Sequence, residues 1–218
     1  MADEPTRLLK IGAVSLVLSG VSFLVKLVLD LAAGSPPSTG TEILAWVASS
    51  KLALAFGSEV LFIGGMFLVP GMVALHASLA GTDGRWATVG TGFVAVTLPV
   101  LFGVAVVHGR LIFPVYGLEV RDPAVAELLV ALYGGGIHAV GIMMAVATLV
   151  LSLAMRRTYG WAIASLGIVT AVLDVVGSYP WALGTPLLIF CQVLFAGWFI
   201  AVGFRLWSLG AAAAPVAA

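Results

Sequence analysis

Charged side chains are so sparse along this 218-residue chain that it reads as a series of apolar stretches separated by short polar or turn-forming clusters. A helix needs about 20 apolar residues to cross roughly 30 Å of hydrocarbon. On that measure the stretches predict six membrane helices: Leu8 to Ala32, Leu52 to Leu79, Trp86 to Phe113, Ala124 to Met155, Tyr159 to Tyr179 and Leu183 to Trp207. The breaks between them carry turn chemistry: the Pro-containing run from Gly34 to Gly40, the run Gly81 to Gly84, the segment Pro114 to Pro123, and Arg156 with Arg157. No charge separates the last two stretches, and there the split rests on Gly177 to Pro180 followed by Gly184 to Pro186. Pro70 and Pro99 lie inside the second and third stretches, where each removes a backbone hydrogen bond and predicts a kink. No internal repeat is evident.

Between the first two stretches, Thr39 to Glu42 has the spacing of a capping box and predicts a helix start. One helix from there to Leu79 would run about 40 residues, longer than a crossing requires. Glu42 to Lys51 is therefore expected to form a short interfacial or protruding segment, with Trp46 as an interface anchor.

Composition strengthens the membrane reading. With 61% hydrophobic and 9% charged residues the chain has too few polar groups to cover a soluble globule, which carries about 25% charged residues. The expectation is an all-α polytopic membrane protein, a single six-helix bundle over residues 1–210 with a short tail over 211–218. Formal net charge is zero, which leaves neither a nucleic-acid footprint nor a polybasic tail. The N-terminal stretch has span length and carries Lys26 and Asp30, so it is expected to be retained and not cleaved as a secretory signal. The lone Cys191 has no intrachain disulfide partner and is expected to pack as an apolar thiol.

Orientation follows from the cations that flank the spans. With both termini cytoplasmic, Arg7, Lys10, Arg85, Arg156, Arg157 and Arg205 fall inside, and Lys51, Arg110 and Arg121 fall outside. That asymmetry has the sense of the positive-inside rule.

Against this frame the ionisable residues within the spans stand out: Lys26, Asp30, Glu59, His108, Glu127, His138 and Asp174. All but His138 lie toward the outer face. Such groups are costly in hydrocarbon and tend to face a partner charge or a water-filled cavity, so their clustering predicts an outward-opening polar pocket. Ser15, Ser19, Ser22, Lys26 and Asp30 recur at helical spacing and predict a stripe facing other helices, with Lys26 and Asp30 as an i,i+4 pair. Glu127, Ala131, Gly134 and His138 share a face of the fourth span. A lone intramembrane histidine such as His138 is most often hydrogen-bonded to a neighbouring hydroxyl or carbonyl, and Glu127 is near enough to the boundary to be solvated. Glu59 and Asp174 lie about 10 Å and about 9 Å below the outer ends of their spans at 1.5 Å per residue, a depth at which they would meet and share a proton. Thr170, Asp174 and Ser178 form a further stripe, and Gln192 reaches a similar depth. A metal held by His108, His138, Glu59 and Asp174 has no supporting motif, and no metal or other cofactor is assigned.

The last span ends Phe195 to Trp207 with Trp198, Gly203 and a basic exit at Arg205; Ile137 to Gly141 precedes Arg156 and Arg157, and Tyr159 to Gly167 opens the fifth span. In these features the chain resembles an uncharacterised family of small six-span bacterial membrane proteins, known only as a domain of unknown function. The resemblance lies mainly in the second half. It implies the fold and a multi-pass location in the bacterial cytoplasmic (inner) membrane, and no chemistry.

Two functions from different classes fit these residues. One is binding or transport of a small amphiphile, cation or proton, with Glu59 and Asp174 titrating and Lys26 as counter-ion. The other is an intramembrane enzyme on a lipid or isoprenoid substrate, with the same acids as proton donor and acceptor and His138 assisting. A non-catalytic accessory subunit, whose charges only specify assembly, is a third. The expected partners are the lipid bilayer, a lipid or amphiphilic ligand and further copies of the chain.

Overall fold

Each apolar stretch becomes helix. The computed structural model describes residues 4–212, in the order α1 (Glu4–Ala33), α2 (Gly40–Ser49), α3 (Lys51–Ile112), α4 (Pro123–Met155), α5 (Trp161–Gly177) and α6 (Thr185–Ala212). The proposed tail thus loses residues 211–212 to α6, and residues 213–218 lie outside the described part. Helices α1, α3, α4 and α6 are each long and apolar enough to cross a membrane. Helix α5 has 17 residues and rises about 25 Å, short of a full crossing.

The predicted break at Gly81 to Gly84 takes an unexpected form. Helix α3 continues for 62 residues, and Asp83 (φ −136°, ψ 42°) alone departs from helical geometry within it. That one residue turns the chain back on itself. The two limbs of α3, residues 51–82 and 84–112, pack antiparallel: Ser58 donates to the Ala105 carbonyl at 3.1 Å, and Gly65 sits against Leu101 and Phe102. Pro70 and Pro99 lie inside the two limbs, and the backbone dihedrals there stay helical. The carbonyl of Pro70 lies beside Gly12 of α1.

The six rods thus formed close into a ring. Helix α1 packs on α3 and α6, α3 on α4, α4 on α5, and α5 on α6. Small residues sit at the seams, as expected where helix association depends on close backbone approach: Gly64 under Ser22 and Phe23, Gly90 against Leu151, Gly141 against Ser178, Gly177 against Cys191, and Gly203 against the Ala13 carbonyl. The serine stripe of α1 faces inward as its spacing predicts, with Ser15 and Ser19 buried and Ser19 donating to the Gly64 carbonyl at 2.9 Å.

Polarity across the ring is inverted relative to a soluble protein. Ser19, Ser58, Thr97, Thr148, Ser152 and Thr170 are buried, whereas Val28, Met66, Val73, Val96, Val106, Val172 and Phe204 are exposed on the outside. A water-soluble monomer rarely shows such continuous apolar surface. Lipid is the solvent that suits it.

Helix α2 lies across one end of the ring and packs through Ile43 with Ala33, Leu54, Leu111 and Ala126. Trp46 donates to the Ala33 carbonyl at 2.7 Å, closing the end of α1, and Glu127 accepts from the Gly40 amide at 2.6 Å. Glu127 is therefore more than a solvated boundary carboxylate, since it holds the start of α2 against α4. The capping box forms in part. Thr39 is the N-cap, but its hydroxyl donates to Glu42 at 2.7 Å and does not accept from a helix amide.

The seams make a prediction. A Cβ at Gly12 would overlap that of Ala74, whereas Gly92 and Gly103 face open space. Gly12→Val should destabilise the bundle by about 1–3 kcal/mol through overpacking, and Gly103→Ala should be close to neutral, as read by thermal unfolding in detergent.

Candidate functional site

A ring of six rods leaves its centre unfilled, and here the gap is a cavity of about 1000 Å³ walled by α1, both limbs of α3, α4, α5 and α6. It reaches the end of the bundle that carries α2, where exposed Gly34, Ser35, Pro36 and Trp181 line it. Its deep wall is apolar. Phe23, Leu61, Leu68, Leu101, Met144 and Phe195 all lie about 15–30 Å from the helix ends at the mouth. Nearer the mouth, about 5–15 Å from those ends, polar side chains form a collar of Lys26, Asp30, His108, Tyr133, Asp174 and Gln192.

One side of the collar is a connected network. The Lys26 ammonium contacts both carboxylate oxygens of Asp30, the pair expected from their i,i+4 spacing, and donates to the Tyr133 hydroxyl at 3.2 Å. Lys26 is buried, while Asp30 is half exposed. His108 stacks on the Tyr133 ring, with centroids 4.5 Å apart, and its buried Nδ1 has no hydrogen-bond partner. Tyr133 is the member that sequence reasoning missed. It sits on α4 between the marked positions Glu127 and His138 and carries no charge, so the only signal was a tyrosine inside a span, one turn from a glycine cluster.

The other side differs. Asp174, on α5, is 8% exposed, has one oxygen wholly buried without a partner, and forms no ion pair among the described residues. Thr170 and Ser178 of its stripe are buried as predicted, and Cys191 is a buried free thiol beside Gly177. Gln192 lines the cavity from α6.

Two expectations, those for Glu59 and His138, need correction. Glu59 is exposed and lies in a separate shallow groove with Ser58, Phe62, Val106 and Phe113, so it does not meet Asp174 and the shared-proton pair does not exist. Its depth was right and its face wrong. Leu54, Gly57, Ser58, Leu61, Gly65 and Leu68 mark the buried side of α3, and Glu59 points about 150° away from their centre at 100° per residue. His138 does not line the cavity; its Nδ1 is 3.1 Å from both the hydroxyl and the carbonyl oxygen of Ser178, and its ring packs on Tyr179 and Trp181. That is the ordinary structural role of a buried histidine. Arg110 lies near its own helix end, donating to the Phe113 carbonyl at 3.3 Å, and neutralises neither acid. Among the described residues no three His, Cys, Asp or Glu side chains come together as a metal site would require.

Fold, inverted polarity and internal cavity are those of a helical membrane protein of the multi-pass type. Comparison with protein-family models, with curated proteins and with solved structures matched nothing.

The unequal exposure of the ion pair gives it an unequal response to mutation. Asp30→Asn strands a buried ammonium, and unpairing a buried charge costs about 3 kcal/mol or more. Lys26→Met leaves a half-exposed carboxylate that water can solvate. Asp30→Asn is therefore expected to lower the unfolding midpoint in detergent clearly more than Lys26→Met does. Equal losses would show that the pair is not buried on the lysine side.

Proposed function

We propose that this protein is a six-span integral membrane protein whose central cavity binds an amphiphile, apolar part inward and polar head at the collar, as a binding or transport protein of the bacterial inner membrane. The observation that carries the reading is the polarity gradient along one cavity, from Leu68 and Met144 at depth to Lys26, Asp30, His108 and Asp174 near the mouth. An apolar pocket with a few convergent polar groups is the general form of a small-molecule site, and about 1000 Å³ is at the upper end of the usual size. A titrating Glu59–Asp174 pair no longer supports the proton or simple-cation form of the proposal. Catalysis on a lipid or isoprenoid, or a role as an accessory subunit, has no observation in its favour. The resemblance to a six-span family of unknown function agrees with the span count and adds nothing to the ligand.

Filling the cavity tests this directly. Gly134 faces it, and a Cβ there would meet only the Trp181 ring edge at 3.9 Å, an ordinary contact. Gly134→Phe should leave the fold intact and occupy ligand space. Native mass spectrometry of protein purified in mild detergent should find a bound lipid or amphiphile on the parent, reduced at least tenfold on the variant. Equal retention by both would place the bound molecule outside the cavity and end the proposal.

In this reading α5 crosses the membrane despite its length, the two limbs of α3 each cross once, and both termini are cytoplasmic. The flanking cations support that orientation. The exposed positions Ser38 and Gly81 then lie on opposite sides, and the buried Cys191 contributes little background to thiol labelling. A membrane-impermeant maleimide applied to intact cells is expected to label Ser38→Cys and to spare Gly81→Cys; labelling of both from outside would rule the topology out.

A further inference from the structure

The ionisable groups of the collar are unequally partnered. Lys26 gives both carboxylate contacts to Asp30 and its remaining hydrogen bond to Tyr133, so its charge is already met. Asp174 is left with no cation near enough to pair, although it is more than nine-tenths buried and lines the same cavity. Among the described residues no arginine and no other lysine lines the cavity. A buried carboxyl group without a donor or counter-ion is costly, and the cost falls when a bound positive group satisfies it. Gln192 and Trp181 line the same cavity, and an amide and an aromatic ring are groups that suit an ammonium by hydrogen bond and by cation–π attraction. The deep apolar wall is matched to a hydrocarbon body.

We infer that the amphiphile is a hydrophobic organic cation, an amine-headed molecule with a long apolar chain whose positive head pairs with Asp174 while its chain lies along Leu61, Leu68 and Met144. This inference rests on the proposal that the cavity holds an amphiphile, and goes beyond it by fixing the sign of the head group. An anionic head would meet Asp174 with repulsion and find Lys26 already occupied.

Three probes with the same chain separate the possibilities: dodecylammonium, dodecanol and dodecanoate, titrated at neutral pH into the full-length protein in phosphatidylcholine nanodiscs, with empty nanodiscs as the partition control. Dodecylammonium is expected to bind at least tenfold more tightly than either of the others. Asp174→Asn should abolish that preference, and Asp174→Glu, which keeps the charge, should retain it. The second variant, with a thermal-unfolding check on both, guards against loss of binding through misfolding. If all three probes bind alike, are displaced by Gly134→Phe and ignore Asp174→Asn, the cavity takes amphiphiles but the cation assignment is overturned. If none binds above the control, or Gly134→Phe changes nothing, the amphiphile proposal itself fails and the cation inference falls with it.

Discussion

Close backbone approach at the seams of the ring is the constraint on which the rest of the structure depends. Lipid chains are as apolar as the side chains they would displace, so no hydrophobic gradient drives one helix onto another, and association rests on packing and on interhelical hydrogen bonds. Gly12, Gly20 and the oxygen of Ser19 seat α1 between α3 and α6. Widening any of these contacts by a side chain would push α1 outward and open the ring beside Lys26. The same seams explain the cavity. Six rods that touch mainly their neighbours enclose an open axis unless large side chains fill it, and from the collar to Met144 they fill it incompletely. At the far end Leu75, Leu79, Met155, Trp198 and Leu206 are fully buried and close the bundle.

Burial of ionisable groups is handled in two ways within a few ångströms of depth. Lys26 is matched by a carboxylate one turn away on its own helix and by a tyrosine on α4, so its position is fixed by local sequence and by a single cross-helix contact. Asp174 has neither. A scaffold charge is normally answered by another charge or by several hydrogen bonds, and Lys26 meets that description. The absence of an answer at Asp174 among the described residues, on the wall of a cavity, is what singles it out for the role proposed above.

How much of this was legible follows from what helix periodicity encodes. Span positions came from length and hydropathy, and all six boundaries at the mouth end lie within two residues of the helix ends: Ala32 against Ala33, Leu52 against Lys51, Phe113 against Ile112, Ala124 against Pro123, Tyr179 against Gly177 and Leu183 against Thr185. Depth came with them, because rise per residue is constant. Azimuth did not. A helix surrounded by lipid outside and apolar neighbours inside is hydrophobic on every side, so polar residues alone had to mark the inner face. The repeated serines of α1 did so correctly; the solitary Glu59 did not. The small residues Gly57, Ser58, Gly64, Gly65 and Gly71 mark the packed face of α3 and were a better guide than the charge. Tyr133 and the unpaired state of Asp174 depend on which helices become neighbours, and that is a property of the ring and not of any one stretch of sequence.

The mouth of the cavity has a structural cause in the shortest rod of the ring. Helix α5 ends at Gly177, three residues after Asp174, and the chain crosses to α6 through Pro180, Trp181 and Leu183, all of which line the cavity. Were α5 as long as its neighbours, another turn or two of helix would stand over Asp174 and bury it among side chains. Its early end instead leaves the carboxylate about one turn below an irregular segment. On the opposite side α2 is held down by Glu127 and Trp46 and covers the ends of α1 and α4. Access to the collar is thus roofed on one side by a hydrogen-bonded helix and bordered on the other by a glycine- and proline-containing connection with exposed Trp181 at its edge. If the cavity holds an amphiphile as proposed, an interior with this opening would take it chain first and leave its head beside Asp174, whose buried oxygen has no partner among the described residues.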